Sequence, residues 1–119
     1  MELAQQKCEP CRADSPHVTR DEVTELLKEL PGWQIVEVDG VHRLEKMYFF
    51  PDWQQAMDFA REVGEAAEEQ EHHPQLVIEW GRVRVQWWTH TIRGLHRNDF
   101  VMAAKTEQIA LEYSAARKA

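Results

Sequence analysis

Three histidines and one aspartate are the residues in this sequence that are best suited to chemistry. His72 and His73 are adjacent and are followed by Pro74, while His90 and Asp99 lie further along the chain. Imidazole titrates near neutral pH, so it can accept or release a proton at little cost. Asp99 could accept a hydrogen bond from His90 and fix its tautomer, or it could cap a helix.

Two kinds of chemistry remain open for these side chains on residue type alone. Histidines from separate stretches of chain could surround a small polar ring and move protons to and from it. Three histidines with a carboxylate also suit a zinc or iron site. A histidine pair before a proline is also common in an ordinary surface loop. The residue types do not separate these possibilities.

Three stretches of the chain have the apolar spacing of amphipathic helices. The first follows Thr19 and Glu22, which are spaced as a capping box. The second follows Asp52, a suitable N-cap, and ends before Pro74. The third is predicted over about residues 97–116. Its apolar residues occupy more than one stripe, which we interpret as burial on two sides, including against another subunit.

Four short segments rich in β-forming residues are predicted to be strands, at residues 33–38, 41–50, 76–80 and 83–91. Asp39-Gly40 joins the first two and is the strongest two-residue signal for a hairpin. The order is therefore α-β-β-α-β-β-α. It predicts an α+β two-layer sandwich, in which three helices cover a four-stranded antiparallel sheet. Strand alternation would place His90 on the polar face of the sheet, with Arg84, Gln86 and Trp88.

Length and charge limit the class of protein. The 119 residues suit one domain, which we expect over residues 19–119 behind a flexible tail at residues 1–18. Acidic residues outnumber basic ones by 21 to 14, and the net charge of −7 argues against nucleic-acid binding. No apolar run reaches the ~20 residues of a membrane span, and the N-terminus lacks the pattern of a signal peptide. We therefore expect a cytoplasmic protein.

Two cysteines, Cys8 and Cys11, lie in the predicted tail. Their spacing is compatible with a redox pair or with half of a zinc site. The flanking sequence lacks the strand and helix of a redox motif, and no second cysteine pair completes a metal site. We interpret both cysteines as part of the flexible tail.

The spacing of the histidines resembles the signature of the pterin-4a-carbinolamine dehydratases. That signature is a polar or acidic residue, three residues, His-His-Pro, an aromatic residue, a spaced histidine and an aspartate. Its elements stand here in order at Glu68, His72-His73-Pro74, Trp80, His90 and Asp99. Gly32-Trp33 and Thr89-His90 also resemble the family. The similarity runs from about Thr19 to Tyr113, and the family's fold has the element order predicted above.

The resemblance implies a lyase that dehydrates 4a-hydroxytetrahydropterin to the quinonoid dihydropterin without a metal or organic cofactor. It implies that His72 and His90 transfer protons, that His73 holds and polarises the pterin, and that Asp99 orients a histidine. Further roles at the pterin are expectations for three residues. Glu68 would bind an imidazole or the ring amino group, and Trp33 and Trp80 would pack beside the ring or in the core.

The resemblance also carries expectations about partners. The substrate is the by-product of aromatic amino-acid hydroxylases, so a functional link to such an enzyme is expected. Family members associate into dimers or tetramers. Some act as dimerisation cofactors of a transcription factor, which makes a regulatory, protein-binding role the alternative function. The two-sided last helix is the feature that would support it.

Overall fold

The structure is a computed structural model that describes residues 3–9 and 15–113. Three α-helices and four strands occur in the predicted order, and the predicted α+β fold is confirmed. The helices are α1 (Arg20–Leu27), α2 (Trp53–Gln70) and α3 (Arg97–Ala110), and the strands are β1 (Gln34–Val38), β2 (Val41–Phe49), β3 (Gln75–Glu79) and β4 (Arg82–Trp87). Two short 3-10 helices lie at Leu3–Gln5 and His90–Ile92.

Side-chain caps fix the starts of the first two helices. The Glu22 backbone N–H donates to the Thr19 hydroxyl at 3.1 Å, and the Glu22 carboxylate accepts from the Thr19 N–H at 2.8 Å. Asp52 accepts a bond from the backbone N–H of Gln55 at 2.8 Å. These bonds satisfy N–H groups that have no partner within the helix. Both predicted N-caps are therefore confirmed.

The four strands form one antiparallel sheet in the order β1-β2-β4-β3. Asp39 and Gly40 link β1 to β2 with φ values of 52° and 78°. A tight turn with two positive φ angles matches the twist of the paired strands, which explains the Asp-Gly pair. In the two central strands, Leu44 pairs with Trp87 and Tyr48 with Val83.

One face of the sheet packs against the helices and forms the core. This follows from strand alternation, because every second side chain of the central strands points to the same side. The buried strand residues include Leu44, Tyr48, Val83, Val85 and Trp87, and those of α2 are Ala56, Phe59, Ala60, Val63 and Ala67. The opposite face of the sheet carries Arg43, Arg84 and Gln86.

Strand β4 is shorter than the sequence predicts. It ends at Trp87, and the predicted extension to residue 91 is wrong. The Thr89 N–H donates to the Gly94 carbonyl at 2.8 Å, and the Gly94 N–H donates back at 3.3 Å. This mutual pair closes a loop that contains the 3-10 helix His90–Ile92 and Arg93, whose φ is 49°. His90 therefore lies in a loop rather than on a strand.

Residues 3–9 fall in the stretch that was expected to be a flexible tail, yet in the structure they pack along α3. Leu3 is buried in the core cluster, and the Lys105 ammonium donates to the Ala4 carbonyl at 2.9 Å. We call Leu3–Glu9 the N-terminal strap. It covers part of the second apolar side of α3, so that part is buried against the same chain. Residues 114–116 of the predicted last helix, like Cys11, lie outside the described residues.

The structure also bears on membrane association. Among residues 3–9 and 15–113, no helix is both long enough and apolar enough to cross a membrane.

Candidate active site

The three histidines singled out in the sequence line one cavity of about 570 Å³. The end of α2 and the start of β3 bring His72 and His73 to it, and the loop after β4 brings His90. The lining residues are Cys8, Glu9, Gln70, Glu71, His72, His73, Thr89, His90, Thr91 and Asn98. The cavity therefore combines residues from distant parts of the chain, most of them polar.

Asp99 lies behind this cavity and organises it. Its carboxylate is fully buried at the first turn of α3 and accepts three hydrogen bonds. One oxygen lies 2.7 Å from Nε2 of His72. The other accepts from the Thr89 hydroxyl at 2.9 Å and from the His96 N–H at 2.8 Å. These bonds compensate the loss of hydration that burial of a carboxylate entails.

The bond to Asp99 determines which nitrogen of His72 carries the proton. An ionised carboxylate only accepts, so Nε2 is the protonated nitrogen and Nδ1 is left with a lone pair. The ring stacks on Trp87, with centroids 5.9 Å apart and planes within 10°. Only 8% of His72 is exposed, so its ring has little rotational freedom. The sequence suggests His90 as the imidazole partner of Asp99, whereas the structure gives His72. The expected role of Asp99 as a helix cap also occurs.

Glu68 contacts His73. Its carboxylate lies 2.7 Å from Nε2 of His73, and both side chains are largely exposed. The αL conformation of Glu71, with φ 53°, ends α2 and allows the chain to turn before Pro74. Because Glu68 and His73 are exposed to water, their ion pair contributes little to the stability of the fold. The bond orients the His73 ring through its Nε2 edge; His73 lines the cavity, whereas Glu68 does not.

His90 forms the end of a stack on the outer face of the sheet. The ring centroids of His90 and Trp88 are 4.5 Å apart. The Arg43 guanidinium lies over the Trp88 ring, 3.8 Å from its centroid. Arg43 also donates to Gln86 at 3.0 Å, which fixes the guanidinium on the sheet. Cation–π contact and stacking therefore orient an otherwise exposed histidine.

The two tryptophans proposed for the pterin do not reach the cavity. Trp33 is buried in the core, and its indole N–H donates to Glu107 at 3.1 Å. Trp80 is 70% exposed at the β3–β4 turn, beside Phe49. Of the two positions expected for these tryptophans, Trp33 occupies the core, whereas Trp80 lies at the exposed hairpin turn, so neither indole lines this cavity.

The carboxylate of Glu107 organises a second cluster, which is remote from the cavity. It accepts bonds from Trp33, from the Lys46 ammonium at 2.5 Å and from the Tyr48 hydroxyl. Burial, and then the neighbouring Glu107 carboxylate, raise the pKa of Tyr48 far above its usual value. Tyr48 therefore stays protonated in the folded protein at any physiological pH.

Several cavity residues were not singled out as site residues from the sequence. Glu9, Gln70, Thr89 and Asn98 all line it, and Cys8, interpreted as part of the tail, lines it too. Of these residues, only Thr89 has a signal in the sequence, because the Thr89-His90 pair resembles the family. In the part of the chain that is described, no group of three or more histidine, cysteine or carboxylate side chains is arranged to hold a metal ion.

An α+β fold with a cavity that is lined by three histidines and backed by a buried aspartate defines a protein suited to proton transfer. The family model for pterin 4 alpha carbinolamine dehydratase matches residues 16–109. The chain belongs to this family of hydro-lyases, so the predicted dehydratase class is confirmed.

Individual relatives agree with this assignment. Proteins from Gloeobacter violaceus and Microcystis aeruginosa, both provisionally named pterin-4-alpha-carbinolamine dehydratases, are 51% and 49% identical to this chain. The alignments cover 97% and 96% of this chain and 99% and 98% of those proteins. A crystal structure of a transcriptional coactivator/pterin dehydratase from Brucella melitensis matches with a TM-score of 0.72 and 34% identity, over 80% of this chain and 99% of that one.

Proposed function

We propose that this chain dehydrates 4a-hydroxytetrahydropterin to the quinonoid dihydropterin by histidine acid–base catalysis. Family membership supports the reaction. The hydrogen bond of 2.7 Å between His72 and the buried Asp99 is the observation that best supports the mechanism. A buried carboxylate behind an imidazole fixes the tautomer and stabilises the imidazolium that forms when the ring accepts a proton.

The reaction requires two proton movements. The bond between C4a and the hydroxyl oxygen breaks, a proton is added to that oxygen so that it leaves as water, and a ring nitrogen loses a proton. His72, backed by Asp99, is the proposed base. His90 is the proposed acid, and His73, held by Glu68, binds and polarises the pterin. A positioned acid or base typically contributes a factor of about 10²–10⁴ to the rate.

Histidine-to-alanine variants test this proposal. Purified protein should accelerate the decay of 4a-hydroxytetrahydropterin generated in situ by a hydroxylase. We expect His72→Ala to lower kcat by about 10²-fold or more, and His90→Ala to lower it by a comparable factor. His42→Ala is the matched control, because His42 is exposed, bonds only Glu37 at 3.1 Å and does not line the cavity.

Two outcomes would contradict the proposal. If wild type is no faster than buffer, the proposed reaction is refuted. If both variants are fully active, the reaction stands but catalysis by these histidines is refuted. Because His72 is buried, circular dichroism of each variant should accompany the assay, so that unfolding is not mistaken for loss of a catalytic group.

We propose the cellular setting that the sequence predicts. The protein would act in the cytoplasm, recycling the tetrahydropterin cofactor of an aromatic amino-acid hydroxylase. The substrate carries its own leaving hydroxyl, so the mechanism proposed here uses no metal and no organic cofactor.

A role in protein binding is the second candidate function. The Brucella melitensis relative is described as a transcriptional coactivator as well as a pterin dehydratase. The strap covers part of α3, so we assign this role to α2. There Trp53 and Met57, one turn apart, are 45% and 39% exposed. The same face would support self-association into a dimer or tetramer, with no role for nucleic acid or a membrane.

Surface variants separate this role from catalysis. We expect the double variant Trp53→Ser and Met57→Ser to lower the sedimentation mass at micromolar concentration while kcat stays within about two-fold of wild type. Gln54→Ser, on the exposed side of the same turn, is the control. If the sedimentation mass of the double variant is unchanged, α2 is not the association surface.

A further inference from the structure

The three histidines of the cavity are held in two different ways. Carboxylates hold the first two, through contacts of 2.7 Å to Nε2 of His72 and to Nε2 of His73. In the described part of the chain, no group forms a hydrogen bond with the His90 imidazole. That ring instead stacks on Trp88, with 4.5 Å between the centroids and 26° between the planes. The orientation of His90 therefore depends on Trp88.

Trp88 is in turn held by the outer face of the sheet. The pairing of β2 with β4 sets Glu45 opposite Gln86, and one further step of that register sets Arg43 opposite Trp88. The Gln86 amide donates to Glu45 at 2.6 Å and accepts from Arg43 at 3.0 Å. The Arg43 guanidinium then contacts the Trp88 ring by a cation–π interaction. We call Glu45, Gln86 and Arg43 the outer-face column; it connects the sheet to the indole.

A histidine that is held through its ring face has both nitrogens free. A carboxylate partner occupies one nitrogen and fixes the tautomer, as Asp99 does for His72. Stacking occupies neither nitrogen. A proton donor has to take up a proton from water and deliver it to the leaving hydroxyl, so it needs a ring nitrogen that no protein group holds. Contact with Trp88 therefore orients His90 without blocking this exchange.

We propose that Trp88, held by the outer-face column, is the positioning residue of His90. This inference rests on the proposed function, in which His90 is the acid. Trp88 does not line the cavity, so it acts through His90 and not on the pterin. Misplacement of a reacting group by about 1 Å can cost about 10²-fold in rate, so loss of the stack should lower kcat rather than substrate affinity.

Steady-state kinetics of Trp88 variants test the inference. We expect Trp88→Ala to lower kcat about 10-fold with KM within about two-fold of wild type. Trp88→Phe should keep kcat within about three-fold, because a phenyl ring still offers a face for stacking. Phe49→Ala is the matched control: it removes an aromatic ring that is 51% exposed on the same face of the sheet, away from the cavity. Its kcat should equal that of wild type.

A double-mutant cycle separates positioning of His90 from a general effect on the fold. In His90→Ala the ring that Trp88 positions is already missing, so adding Trp88→Ala should lower kcat no further. A tryptophan that only stabilised the fold would lower kcat by the same factor with and without His90. Circular dichroism of each variant establishes that it is folded.

The outcomes distinguish this inference from the proposed function. If wild type turns over the pterin and Trp88→Ala has an unchanged kcat, the inference is overturned and the proposed reaction stands. The same holds if Trp88→Ala lowers kcat equally in the wild-type and His90→Ala backgrounds. If wild type has no turnover, both fall.

Discussion

Helix α3 carries two carboxylates that are each surrounded by hydrogen-bond donors but belong to different kinds of site. Asp99, in its first turn, accepts from His72, Thr89 and the His96 backbone. Glu107, just over two turns later, accepts from Trp33, Lys46 and Tyr48. The two clusters are alike in the number of bonds. They differ in what the donors can do and in what lies beside them.

The partners of Asp99 include an imidazole that borders a cavity. The partners of Glu107 are an indole, an ammonium and a phenol, none of which exchanges protons near neutral pH. The Glu107 cluster borders none of the described cavities. A carboxylate that accepts bonds from three donors therefore does not by itself mark a catalytic site. A group that titrates near neutral pH and an accessible space beside it are also required.

Replacing each carboxylate by its amide should separate the two clusters. In Asp99→Asn one oxygen becomes an N–H₂ donor that faces either the His72 imidazole or the Thr89 and His96 donors. The less costly arrangement reverses the His72 tautomer, which removes the base. We expect kcat to fall by about 10²-fold or more. The measurement is the turnover assay with 4a-hydroxytetrahydropterin described above. An Asp99→Asn enzyme with wild-type kcat would refute the role assigned to this bond.

Glu107→Gln should have the opposite profile. Trp33, Lys46 and Tyr48 all bond the same oxygen of Glu107, so the amide carbonyl can still accept from them, but the Lys46 ammonium loses its charged partner. We expect the free energy of unfolding to fall by about 1–2 kcal/mol, with kcat unchanged. Urea denaturation followed by tryptophan fluorescence measures the first quantity. If this variant instead lost activity at full stability, the Glu107 cluster would have to be included in the active site.

Alkaline pH should weaken the Glu107 cluster. The pKa of Tyr48 is raised in the fold, by burial and by Glu107, above the unfolded value of about 10. Its contribution to stability is therefore complete below about pH 10 and declines above it, by up to about 1.4 kcal/mol per pH unit. Wild type should lose stability more steeply than Tyr48→Phe between about pH 10 and 11. Equal slopes would contradict this.

The sequence predicted those parts of the fold that depend on local chemistry. The Thr19–Glu22 capping box, the Asp52 cap and the Asp39-Gly40 turn each depend on residues within three positions of one another. The element order followed from them. The histidines stand out by their chemistry, and the family's spacing groups three of them into one candidate site. Their convergence on one cavity is a matter of tertiary structure, which spacing alone does not establish.

The missed features all depend on contacts between distant residues. The end of β4 is set by the bond pair between Thr89 and Gly94, while Thr89 and His90 continue the alternation that favours a strand. The strap is held by Asn98, which is 89 residues from Glu9. No propensity of its own sequence predicts that it packs. Trp33 carried a family resemblance, but its partner Glu107 is 74 residues away.

Gly94 links the histidine-bearing loop to the segment before α1. A β-carbon at this position would overlap the His17 ring, and the adjacent Val18 N–H donates to the Leu95 carbonyl at 3.0 Å. The two segments therefore behave as one unit for protein engineering. A chimaera that imports the residue 89–95 loop from a relative with a larger residue in place of Gly94 would also have to import residues 16–18 to preserve the interface.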